Sequence, residues 1–240
     1  MRLNNQVLKK FMTTFYGSGN YEGDYWFVGM EEGGGNSLDK VQTRIKAWQD
    51  HGETELVDIY DFHILINYPE NFTDPVKLQR TWMQQARIVL ASKGLQSTTP
   101  DVKIYQRDVI GRKDSKTCLL ELLPLPSPGL STWHYDEWTN IPFLRNRKVY
   151  QDYCLPWRIR HIHSRIQKYQ PKLIVFCGTS YLKHWQMIAG GDVLFHKRKD
   201  FSAAKSGGIL YLIVNHPAAR GITNAYFEGV GRFVRTNLKF

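Results

Sequence analysis

A chain of 240 residues can bury a core without disulfides or metal staples. Its 42% hydrophobic and 22% charged content excludes a disordered or fibrous polypeptide. The 32 Lys and Arg against 22 Asp and Glu give a net charge of +10, interleaved with 13 Tyr, 12 Phe and 7 Trp, which favours a polyanion such as DNA as partner.

In chain order, "QVLKKFMTTFYG" predicts an amphipathic helix ending at Gly17, and "DYWFVGM" a first buried strand. Ser37 caps a helix through "LDKVQTRIKAWQDHG" that stops at Gly52. Residues 54–74 fit no single pattern. Asp74 then caps a helix beginning at Pro75 and running to residue 94. "TCLLELL" has the length of a buried strand, and the proline-rich residues 124–143 predict a long, shaped loop. A basic helix, "WRIRHIHSRIQKYQ", leads to a third strand, "PKLIVFCG", and a helix opening at Gly178. "GGILYLIVNHPA" is a fourth strand, and residues 222–238 form a closing helix. The alternation predicts one α/β domain over residues 1–240, a three-layer α/β/α arrangement around a mostly parallel four-stranded sheet.

Cys118, Cys154 and Cys177 lack metal-ligand spacing, so no metal or cofactor is expected. The absence of secretory and membrane-length apolar runs predicts a cytoplasmic protein with no membrane partner. No obligate protein partner is implied.

Ligands of parallel sheets bind at the carboxyl ends of the strands. Here those ends read "GMEEGGG", "ELLPLPSP", "CGTSY" and "NHPAARG". Each sets glycine, proline or polar residues directly after an apolar run, and all four should converge on one crevice. Glu31 and Glu32 are acids inside a glycine-rich turn of a basic protein.

In this order the four ends resemble those of the uracil-DNA glycosylase superfamily, over most of residues 24 to 238. That family places a glycine-led acidic or amide turn after the first strand, here Gly29-Met30-Glu31. It ends with a His-Pro pair and a loop that enters the duplex, here His216-Pro217 within Asn215 to Arg220. The chain departs from the pattern in three ways. Glu32 stands where a proline usually follows the acid, Glu121 stands where an Asn usually reads the base, and the cluster-binding cysteines are missing.

The resemblance implies a monofunctional DNA glycosylase that flips a base into a pocket and hydrolyses its bond to C1′. Glu31, or Glu32 beside it, would offset the cationic sugar and orient water, and His216 would donate to the departing base. Family register favours Glu31. Met30, Glu121 and Asn215 would line the base. Ser127, Gly178, Thr179 and Ser180 would hold phosphate, and Arg220 would probe the gap left by the base. The basic helix with Arg158, Arg160, His161, His163, Arg165 and Lys168 presents either a solvated face or an addition to that footprint.

An ionised Glu121 accepts but cannot donate, which suits the 4-amino group of cytosine and opposes the oxygen of uracil. Because removal of ordinary cytosine would be lethal, a modified cytosine is expected, with residues 124–143 accommodating the modification. Excision of a hypermodified phage base in host defence would fit that chemistry, as would DNA repair. The alternatives are a non-catalytic DNA or damaged-base binding protein on the same fold, a plain uracil-DNA glycosylase, and a Mg²⁺-dependent nucleotide hydrolase.

Overall fold

The computed structural model describes residues 2–129 and 131–238. The chain runs α1 (Asn5–Thr14), β1 (Gly17–Gly19), β2 (Tyr25–Gly29), α2 (Leu38–Asp50), β3 (Leu56–Val57), α3 (Ile59–Leu65), α4 (Arg80–Ser92) and α5 (Thr99–Asp108). It continues β4 (Thr117–Glu121), α6 (Tyr135–Trp138), α7 (Arg147–Tyr169), β5 (Leu173–Cys177), α8 (Leu182–Ala189), β6 (His196–Lys197), β7 (Ser202–Ser206), β8 (Ile209–Val214) and α9 (Asn224–Asn237).

The strands form one eight-stranded sheet in the order β3-β1-β4-β2-β5-β8-β7-β6. The four apolar runs legible in the sequence are its middle strands, β4-β2-β5-β8, parallel throughout. The expected four-stranded sheet is therefore half of the observed one. Both edges are extended by short strands, with β1 antiparallel to β4 and β7 antiparallel to β8. These escape a search for apolar runs because they are short, as in β3, or interrupted by glycine and polar residues, as in β1, β6 and β7. Gly-Ser-Gly in β1 offers only the small Ser18 side chain to pack, and the segment expected to stop a helix at Gly17 is a strand instead.

Strand alternation divides the core into two layers. Trp26 and Val28 face α1, α2, α7 and α8, whereas Tyr25 and Phe27 face α4, α5 and α9. Ser37 caps α2, its side chain accepting from the Lys40 N–H. The helix expected from Pro75 begins only at Arg80. The reason is Gln106, fully buried, whose amide donates to the Asn71 and Lys77 carbonyls and accepts from the Gln79 N–H. Those bonds hold residues 71–79 outside a helix.

The basic helix also differs from expectation. It begins earlier, at Arg147, with Asn146 as its cap. Arg158 is fully buried and donates to four carbonyls, those of Met12 (3.1 Å), Phe15 (2.7 Å), Glu121 (2.6 Å) and Leu122 (2.8 Å). Its guanidinium also lies 3.7 Å from the Tyr16 ring centre. His161 and Arg165 both engage Glu55. Arg158 thus ties the N-terminal segment to the sheet, and His161 and Arg165 are engaged by Glu55, whereas Arg160 and Lys168 remain exposed.

The chain passes from β2 to β4 on one side and then returns to β5 on the other. At this reversal the loops that follow β2 and β5 lead away to opposite sides, the place where ligands of parallel sheets bind. Among the described residues, no helix is long and apolar enough to cross a membrane.

Candidate functional site

The acidic turn after β2 is fixed by its neighbour. The β2–β4 ladder continues past both strands, from Leu122 N–H to the Gly29 carbonyl, Leu123 to Met30, and Ser127 to Glu32. Gly35 sits at φ +67, where a side chain would press 2.6 Å from the Pro126 carbonyl oxygen. At Gly29 a Cβ would meet Glu121 Oε2 at 2.5 Å, so a larger residue there would displace the Glu121 carboxyl. The glycines thus allow the β2 turn to lie flat against the β4 turn and the Glu121 carboxyl.

Each acid of the turn meets a different arginine. Glu32 takes Arg44 of α2 on both oxygens, at 2.8, 3.2 and 3.3 Å. Burial alone would raise the Glu32 carboxyl, but Arg44, and more weakly His63, hold it below its ordinary range. Glu31 pairs with Arg147, the first residue of α7. Burial raises the Glu31 carboxyl, and the charge of Arg147 opposes that shift without cancelling it. The Glu31 side chain is 10% exposed against 31% for Glu32. Glu31 Oε2 is buried with no hydrogen-bond partner among the described residues. Arg44 consumes the acceptors of Glu32, whereas Glu31 keeps an oxygen free.

Glu121 ends β4 directly beside Gly29. Its carboxyl is pushed up to about 8 by burial, then by Glu32 and Glu31, with Arg158 opposing. Its Oε2 is inaccessible and without a partner. At neutral pH Glu121 is therefore mainly a carboxylic acid, able both to donate and to accept. The raised pKa counts against an acceptor-only carboxylate, since the expected preference for cytosine over uracil requires the ionised form. The Glu121 carboxyl lies near Cys177 at the end of β5, whose thiol burial and this acid push up to about 12.

His216 follows β8 and is exposed. Its Nδ1 accepts from the Ala218 N–H at 3.1 Å. An accepting nitrogen carries no proton, so the neutral ring bears its hydrogen on Nε2. Partial desolvation lowers its pKa and favours this neutral form. Asn215 is held by its backbone, its N–H donating to the Tyr226 hydroxyl at 3.0 Å.

The remaining expectations divide. Gly178 is buried at φ +112, and Thr179 and Ser180 are exposed at the start of a 3-10 turn (Thr179–Tyr181) leading into α8. Arg220 is exposed in the loop after β8. Met30 is corrected: it is 7% exposed and packs in the core with Val28. Ser127 is corrected as well. It is buried, its hydroxyl donates to the Gly129 and Thr132 carbonyls, and it accepts from Arg147 at 2.8 Å. It shapes the loop and orients Arg147, leaving it no capacity for a phosphate.

Two residues of this site escaped sequence reasoning. Arg147 lies 116 positions from Glu31, and nothing local links them. Tyr181 is partly exposed, and its hydroxyl pKa is raised by burial and then by Glu31, with Arg147 opposing. An aromatic directly after a glycine-led turn was its available signal. Among the described residues, no group of three His, Cys, Asp or Glu is arranged to hold a metal ion. A scan of family models and a search of curated proteins find no match to this chain.

Proposed function

We propose that this protein is a DNA glycosylase of the kind its strand ends resemble, hydrolysing the bond between C1′ and a flipped pyrimidine to leave an abasic site. One observation carries the reading. A buried acid with a free oxygen, Glu31, follows β2, and an imidazole protonated on Nε2, His216, follows β8, at the same end of parallel strands. Only β5 separates the two strands, so the loops start about 10 Å apart, a gap that a nucleotide can bridge.

Glu31, once ionised, would stabilise the developing sugar cation and orient water. His216 would donate to the departing base, and Tyr181 offers a face for stacking. Neutral Glu121, through Oε1, the oxygen that is not enclosed, can either accept from the amino group of a cytosine-type base or donate to O4 of a uracil-type base. Selection for a cytosine-type base through Glu121 thus belongs to pH above about 8, where the acid ionises. The second reading, a non-catalytic DNA-binding protein, is favoured by one observation, the ion pair that neutralises Glu31.

The test incubates the protein with duplexes containing uracil, cytosine or 5-modified cytosines, with and without chelator. Released base and alkali-labile sites are measured. Chelator-resistant release that is lost in Glu31→Gln supports the glycosylase. Tight binding without release from any duplex supports the second reading, and metal-dependent release of phosphate would overturn both.

A further inference from the structure

The β6–β7 hairpin was not part of any expectation, and its sequence is "FHKRKDFS". Its turn lies at the functional end of the sheet. β7 runs antiparallel to β8 and begins with Ser202 opposite Ile213, one residue before β8 ends. Lys197 pairs with Ser202, so residues 198–201 project just beyond that end. The turn is tied to the crevice by one hydroxyl. Tyr226 accepts from the Asn215 N–H and donates to the Asp200 carbonyl at 3.2 Å. On the other side of His216, Arg80 donates to the Ala219 carbonyl at 3.0 Å, next to Arg220.

Five cations, Arg80, Lys197, Arg198, Lys199 and Arg220, therefore flank the His216 loop, with Asp200 the one acid in the hairpin turn. All are exposed, and Lys197 and Lys199 have no carboxylate partner among the described residues. Arg80 is bonded to a carbonyl and Arg198 lies 5.7 Å from the Phe233 ring centre, but neither contact cancels charge; like charges so clustered repel, and a polyanion relieves that repulsion.

We propose that the β6–β7 hairpin is a second DNA-gripping element, its Lys197, Arg198 and Lys199 holding consecutive phosphates alongside the His216 loop. The proposal rests on the reading of this crevice as a DNA site, but it needs no base release. Each phosphate neutralised by a cation adds about 0.9 to the slope of log affinity against log salt on duplex DNA.

The experiment measures anisotropy of a labelled duplex of ordinary bases over a salt series. It compares the natural protein, a Lys197→Gln/Arg198→Gln/Lys199→Gln variant and Lys205→Gln. Lys205 sits on the same hairpin, opposite Leu210 at the far end of β8, and serves as the charge control. The expected result is a slope reduced by about 2–3 in the triple variant and unchanged in Lys205→Gln, with unaltered thermal unfolding. An unchanged slope in the triple variant, equal losses in both variants, or no DNA binding by the natural protein would overturn the proposal. Loss confined to anionic phosphatidylserine vesicles would overturn it in favour of a membrane surface. If base release occurs while the slope is unchanged, the hairpin proposal falls and the glycosylase stands. If the slope changes without base release, the reverse holds.

Discussion

Replacing Glu121 by Gln removes a titration and changes little in shape. In the folded protein the acid gives up its proton near pH 8, against an ordinary 4.5 in the unfolded chain. A raised folded-state pKa means that the acid's contribution is fully present below pH 4.5 and is lost as pH rises toward 8. Across that window each pH unit lowers stability by about 1.4 kcal/mol, so the total approaches ~5 kcal/mol. Gln cannot ionise. Glu31 and Glu32 titrate in both proteins, so the difference isolates position 121. Urea unfolding of the two proteins across this window is the assay. Their stabilities should lie closest at the acid end and diverge with rising pH, Glu121→Gln being the more stable. Parallel profiles would refute the neutral acid. A natural protein that gains on the variant as pH rises would show an ionised carboxylate favourably served by Arg158.

The other predictions concern the groups around it. Arg158→Met should cost about 3–5 kcal/mol in chemical denaturation, because four buried carbonyls lose their donor at once. Glu31→Gln should keep duplex affinity and lose on the order of 10²–10⁴ in single-turnover base release. Arg147→Met should leave Glu31 buried without its counter-charge and move the acid limb of the pH–rate profile upward. His216→Ala should slow the chemical step at saturating enzyme with affinity nearly intact; a loss in affinity alone would make His216 a DNA contact. Arg220→Ala should impair duplex more than single-stranded substrate, since only a stacked duplex leaves a gap to fill.

What the sequence made legible was what local chemistry determines. β2, β4, β5 and β8 are continuous apolar runs, and Ser37 stands where an N-cap belongs, so both were readable. The rule that parallel strands offer their carboxyl ends pointed to the loops after β2, β5 and β8, which leave the sheet at one end. The Gly207-Gly208 turn between β7 and β8, with φ of +56 and +84, was an available hairpin signal that the expectation of a mostly parallel four-stranded sheet passed over. The partners of Glu31, Glu32 and Arg158 lay beyond reach, because a side chain's charge does not specify which distant segment meets it. Glu121 is the clearest case: its identity suggested an anion, and only its burial beside two other acids makes it an acid that holds its proton.

Helix α7 carries both Arg147 and Arg158, eleven residues and about three turns apart, hence on nearly the same face. At one end it grips Glu31 and Ser127; further along it grips the carbonyls of Glu121 and Leu122. One wall of the crevice is thus bolted to a 23-residue rod and laced to its neighbour by backbone bonds. The opposite wall, residues 215–221, is exposed over most of its length and held by single bonds through Arg80 and Tyr226. The two sides are thus unequally tied: displacing the acid side would break the bonds of Arg147 and Arg158 and those between the β2 and β4 turns, whereas displacing the histidine side would break far fewer.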